Sequence, residues 1–243
     1  MSYCAVSFCW NSSIRLSKIK FRENANIINI FTKQYGKVSG IVYGGNSRKV
    51  RNLLQISNKI FVIYNSKNLN KIGYFKTELI EPISPRFFND KRRTSALLSV
   101  TSILNNLLPE SQPYKDLYNS LSILLNDFDN EKWPILFVYW ELNLIKELGF
   151  DPNLITNLKL NPNNEILINI EVDGVKYKVP NFLITNKIPR KIDFDLIKKA
   201  LIFNRNLMLN KFFIPNNLIF PKSRIILESY FNWFISFATS KAK

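Results

Sequence analysis

The chain has 243 residues, 46% of them hydrophobic, and a formal charge of +16 from 34 Lys/Arg against 18 Asp/Glu. That apolar content suffices for one large core or two small ones and excludes a disordered chain. The sequence has no histidine and no GxxxxGK[ST] or GxGxxG loop, which removes the commonest general base, the commonest transition-metal ligand and the usual nucleotide cradles.

Residues 1–10 lack the positive start of a secretion signal, and no apolar run reaches the roughly 18 to 20 residues that span a bilayer. The expected setting is therefore soluble and cytoplasmic. Cys4 and Cys9 are the only cysteines, too few for a disulfide framework or a tetrahedral zinc site. From Ile14 to Ile80 apolar residues come in short alternating runs bounded by glycines, which predicts five strands over 13–20, 25–32, 38–43, 59–64 and 72–79. Five short strands with Gly at the bends suit a small closed barrel of the oligonucleotide-binding (OB) type, and an SH3-like barrel fits nearly as well.

After Pro82 and Pro85 the periodicity becomes helical. Helices are expected over 94–108, with Thr94 as cap, over 113–127 with Pro113 in the first turn, and over 131–148 with Gly149 as the left-handed stop. Residues 165–179 alternate strictly around Asp173-Gly174, a two-residue hairpin signal. Two more helices follow, over 193–212 and 221–239. The expected class is α+β: an N-terminal OB-fold β-barrel over residues 1–83, then a mainly α-helical domain, 84–243, with a small β-hairpin at 165–179.

Acidic chemistry finds little footing. Asp127, Asp129 and Glu131 fall at a helix junction, where capping explains them, and Glu141 and Glu147 are expected on a solvated helix surface. No catalytic, metal or cofactor site is expected. Positive charge is concentrated instead: residues 1–83 carry 13 Lys/Arg against 3 Asp/Glu, whereas 84–150 carry 7 against 8. An AT-rich genome also enriches Lys, but it would spread Lys evenly. A neutral middle between basic ends points to regions with different partners.

Residues 31–51 interleave Lys33, Lys37, Arg48, Lys49 and Arg51 with Tyr35, Tyr43 and a Gly-Gly turn. Cations neutralise phosphates, rings stack on bases and glycine admits the backbone, which is the equipment of sequence-tolerant strand binding. The bland alternative is an exposed basic hairpin with core tyrosines. Lys91, Arg92 and Arg93 add cations that either continue this surface or begin a solvated helix.

This segment resembles the bacterial RecO family of recombination mediators. The likeness runs through Phe31-Thr32, Tyr35-Gly36-Lys37, Gly44-Gly45, Ser47-Arg48 and Leu54-Gln55. It continues through Leu107-Leu108-Pro109-Glu110, residues 113–117 and 137–141, Leu148-Gly149-Phe150, and residues 207–215 and 218–224. The resemblance implies an OB fold followed by helices, a job in recombinational repair, and binding of single- and double-stranded DNA with strand annealing. It also implies two protein partners, RecR and the C-terminal tail of single-strand-binding protein. In many family members a four-cysteine zinc element follows the Leu-Gly-aromatic segment; residues 151–179 here contain no cysteine, so the metal is not carried over. Residues 1–9 have no clear counterpart, and the matching begins at Trp10. The rival function is a protein-docking adaptor for the tail of single-strand-binding protein, with DNA contact incidental.

Overall fold

A computed structural model describes residues 6–44, 47–66, 72–154, 166–189 and 192–240. The chain divides into two compact units, Met1–Asn119 and Ser120–Lys243. In the first, five strands form a closed barrel: β1 (Val6–Arg22), β2 (Ala25–Thr32), β3 (Gly36–Tyr43), β4 (Lys59–Ser66) and β5 (Tyr74–Glu81). Their order is β1-β2-β3-β5-β4, β4 returns to β1, and β3 meets β5 in parallel. A short helix, α1 (Arg48–Leu53), lies between β3 and β4. This Greek-key order is the OB arrangement.

Alternation builds the core. Ile28 and Ile30 of β2, Val42 of β3, Ile60 and Val62 of β4 and Phe75 of β5 point inward with Trp10, and Val50, Leu53 and Leu54 in and after α1 pack against them. A Cβ on Gly40 would stand 2.5 Å from the Phe75 ring, so closure of the barrel needs glycine there.

All five expected strands are present, but β1 begins at Val6, well before the expected Ser13. Its first half pairs with β4 and its second half with β2. A bulge between Trp10 and Ser13, with Ser12 at φ 111°, throws the alternation out of phase at the changeover. The partner for residues 6–10 also lies more than fifty residues downstream, where a local pattern cannot reveal it.

The β2–β3 turn depends on Gly36, whose φ is +66° and whose added Cβ would lie 1.7 Å from the Gln112 carbonyl oxygen. Gly36→Ala is expected to cost roughly 2–3 kcal/mol, read from the denaturant midpoint at unchanged slope.

Helix α2 (Lys91–Leu107) follows a single 3-10 turn, Ser84–Phe87. The cap is Asp90 rather than the expected Thr94: Asp90 Oδ1 accepts from the Arg92 and Arg93 N–H groups, both at 3.0 Å, while the Thr94 hydroxyl donates to the Phe87 carbonyl. Partial burial pushes the Asp90 carboxyl up, but the Arg93 amide, the Arg93 guanidinium and Arg92 more than offset this and hold it below its usual range. A depressed carboxylate stabilises the fold above its unfolded pKa, and this contribution fades as pH falls through the folded value. Asp90→Ala is therefore expected to cost about 1–2 kcal/mol at neutral pH and progressively less in acid, a trend that parallel urea titrations would measure.

In the second unit, α4 (Trp133–Glu147), α6 (Phe194–Met208) and α7 (Lys222–Ser240) pack together. The third helix of the chain, α3 (Lys115–Asn126), precedes them, and α5 (Phe182–Thr185) is a single turn. A π turn, Leu209–Phe213, closes α6. The expected hairpin is β6 (Leu167–Val172) and β7 (Val175–Pro180), with Asp173 and Gly174 both at positive φ; residue 165 lies outside the described residues. Gly149 stops α4 at φ +95° as expected. Glu141 corrects the expectation of a solvated helix surface. It is fully buried and meets Arg224 of α7, because α4 is covered on the face where a single-helix pattern allowed solvent.

Candidate nucleic-acid interface

The sequence-predicted cations and rings divide between the two ends of the β2–β3 ladder. Lys33, Tyr35 and Lys37 lie at or beside the connecting turn, whereas Tyr43 ends β3 about 23 Å away along the strand, with Arg48 and Arg51 just beyond it.

At the turn, Thr32 Oγ1 accepts from the Tyr35 N–H at 3.0 Å, which sets the loop. Lys33 is exposed. The Tyr35 ring leans on Trp10 at 5.4 Å, and Trp10 in turn stacks on Tyr64 at 5.5 Å, so Tyr35 is part of the barrel wall. Lys37 Nζ donates to the Asn105 carbonyl of α2 at 3.0 Å and stands 3.7 Å from Glu110, so its charge is engaged inside the unit.

At the other end, Gly44 turns the chain at φ +72° and the Ser47 hydroxyl caps α1 by accepting from the Val50 N–H. Gly45 and the Lys49 side chain lie outside the described residues. Because Val50, Leu53 and Leu54 face the barrel, Arg48 and Arg51, one helical turn apart, are left on the exposed face. No carboxylate pairs with either among the described residues. Sequence reading missed this helix, since six residues are too few for a periodic signal.

It also missed the neighbouring strand. Lys18, Lys20 and Arg22 recur at every second position of β1 and are all exposed, with Phe21 exposed between them and the Arg22 guanidinium 5.2 Å from its ring. A bulge between Lys20 and Arg22 turns Arg22 to the other face of β1, where it pairs with Ala25, which pairs with Tyr43, so Arg22 and the exposed Tyr43 ring lie in one row across three strands. Cations at alternate strand positions with rings beside them were the available signal.

Arg93 Nη1 donates to Asp90 at 2.6 Å and its guanidinium covers the Phe87 ring, so its charge has a partner. Arg92 is half-buried in the same first turn of α2. Among the described residues no group of three His, Cys, Asp or Glu is placed to hold a metal ion, and no helix is long and apolar enough to cross a membrane.

Two family models match the chain, and they meet between residues 83 and 89, inside the first compact unit. Residues 8–83 match the family model "Recombination protein O N terminal", and residues 89–159 match "Recombination protein O C terminal". The chain is similar to the DNA repair protein RecO of Ehrlichia chaffeensis, at 33% identity over 61% of this chain and 60% of that one. The RecO of Wolbachia pipientis is 31% identical over 59% and 60%, and that of Roseobacter denitrificans 30% over 56% and 57%. The chain thus spans 57–60% of the length of these relatives. With the N- and C-terminal patterns of one family in order along well over half of its residues, the chain belongs to the RecO family of DNA repair proteins.

Proposed function

We propose that this chain is a non-catalytic, DNA-binding mediator of recombinational repair. It binds single- and double-stranded DNA, anneals complementary strands and assists recombinase loading together with RecR and single-strand-binding protein. The observation that carries this reading is the set of exposed cations at the α1 end of the barrel that have no partner among the described residues, Lys18, Lys20, Arg48 and Arg51, flanked by the exposed rings of Phe21 and Tyr43. Such a surface neutralises phosphates and stacks bases without reading their edges. Lys33, Lys49 and Arg92 extend the contact set; Tyr35 belongs to the barrel wall, and Lys37 and Arg93 are committed internally.

The test is binding of two unrelated single-stranded oligonucleotides and one duplex at several salt concentrations, with an annealing assay and co-elution with RecR. Comparable affinities for both oligonucleotides and a steep salt slope are expected. Absence of DNA binding at low salt ends the reading.

A second reading, the protein-docking adaptor, is favoured by one feature of the second unit. A cavity of about 510 Å³ is lined by Tyr139, Leu142, Lys146, Pro152, Leu183 and Ile184 among others. Its wall is fixed by the Tyr139 hydroxyl, which donates to the Phe182 carbonyl at 2.9 Å and is pushed up to about 12 by burial. Lys146 is paired with Asp151 of the same lining at 3.0 Å, so an acidic peptide with an apolar end, such as the tail of single-strand-binding protein, would set its apolar end against the walls and displace Asp151 from the lysine. Tight binding of that tail with negligible DNA binding at physiological salt would select the adaptor.

A further inference from the structure

Arg15 is only 6% exposed, yet its Nε has no acceptor and no carboxylate pairs with it among the described residues. Burial alone lowers its pKa from 12.5 to about 10. A lone guanidinium in such a place costs free energy. The other deeply buried arginine among the described residues, Arg224, is given two carboxylates and a carbonyl.

The backbone places Arg15 beneath the end of α1. Its N–H donates to the Asn58 carbonyl at 3.2 Å, and its own carbonyl accepts from the Ser57 N–H at 3.0 Å. The Asn58 side-chain amide donates to the carbonyls of Asn52 and Leu53, the last residues of the helix that carries Arg51. On β1, Arg15 stands opposite Ile30 and Lys18 opposite Ile28, and both isoleucines belong to the barrel core. Paired residues of antiparallel strands share a face, so both basic side chains leave β1 on that side, and Lys18 ends in solvent. Lys18 feels both arginines: it is held below its usual value by partial burial and then by the charges of Arg15 and Arg51. Glu81, at the end of the neighbouring ladder, is already held by Lys59 at 2.7 Å and Arg86 at 3.1 Å.

We propose that Arg15, Lys18 and Arg51 form a seat for one phosphate group of a nucleic-acid strand, at the seam between β1 and α1. The seat rests on the DNA-binding reading and deepens it. Arg15 supplies donors from below, Lys18 and Arg51 close the mouth, and the phosphate is the counter-charge that the buried guanidinium lacks. The arrangement differs from a chance surface contact because occupation removes a cost built into the fold.

The test uses the full chain, Arg15→Met and Lys18→Gln. First, melting is followed as chloride is replaced by inorganic phosphate at constant ionic strength. The unsubstituted chain is expected to gain melting temperature in phosphate. Arg15→Met should melt no lower than the unsubstituted chain in chloride and gain nothing from phosphate. Lys18→Gln, a change at an exposed position that leaves the core alone, should lose part of the gain.

Second, the salt slope for single-stranded DNA should fall by about 0.7 in either variant. If Arg15→Met melts lower in chloride while Lys18→Gln keeps the whole phosphate gain, Arg15 is a packing residue and the seat is overturned. If the unsubstituted chain binds DNA and both variants keep its slope and its phosphate response, the seat falls while the DNA-binding reading stands. A phosphate gain that needs Arg15 in a chain that binds no DNA overturns the nucleic-acid source and leaves free phosphate as the ligand.

Discussion

Replacing Arg224 by Met is expected to lower the stability of the second unit by about 3–5 kcal/mol, the loss seen when one member of a buried ion pair is removed. Arg224 donates to both Glu141 oxygens, at 2.5 and 3.1 Å, to the Leu201 carbonyl at 2.8 Å, and toward Glu228 at 3.4 Å. Asn204 donates to Glu141 and to the Val138 carbonyl, and Arg205 holds Glu228 at 2.9 Å. One network thus ties α4, α6 and α7 together.

Burial drives the Glu141 carboxyl up, and Arg224 and Asn204 pull against it. With Arg224 gone, burial and the Glu228 charge push the carboxyl up against only the weaker Asn204 bond, so Glu141 must take up a proton. A carboxyl raised in the folded state stabilises below its unfolded pKa, and that contribution is lost as pH rises through the folded value. Arg224→Met should therefore unfold more readily at pH 8 than at pH 5. The double variant Arg224→Met with Glu141→Met should recover much of the loss, because it removes the orphaned charge as well. Chemical denaturation at the two pH values measures all three effects, and a loss below about 1 kcal/mol for the single variant would mean that packing alone holds these helices.

On the barrel, replacing Arg48, Lys49 and Arg51 together by Ala should weaken binding of single-stranded DNA roughly 50- to 100-fold at 0.1 M salt and lower the salt slope by about 2, at about 0.7 per lost contact. Unrelated oligonucleotides should suffer alike, since phosphate contacts carry no sequence. The fold should survive, because Val50, Leu53 and Leu54 seat α1 from its other face. Salt-titrated anisotropy with two oligonucleotides reads both quantities, and an unchanged slope would show that α1 is not in the DNA path.

Much of the fold was legible where the signal is local. Alternation over Ile28 and Ile30, or Ile60 and Val62, marks strands that bury one face, and Asp173-Gly174 supplies the two positive φ angles that a tight hairpin needs. What stayed hidden depends on partners distant in the chain. The first part of β1 needs residues 62–66, and the burial of Glu141 needs Arg224, eighty-three residues on. The site was half legible: the residue types of a phosphate-binding surface stand out in 31–51, but their grouping does not. One β-ladder separates Lys33 from Tyr43, Lys37 turns to Asn105, and the vacated places are taken by Lys18 and Lys20 of β1.

The most direct measurement is lysine acetylation read by mass spectrometry with and without saturating single-stranded DNA. Lys18, Lys20 and Lys49 should be protected by the oligonucleotide, whereas Lys37, already bonded to Asn105, should label slowly and equally in both states. Unchanged labelling of Lys18, Lys20 and Lys49 in fully bound protein would contradict the assignment of DNA to the α1 end of the barrel.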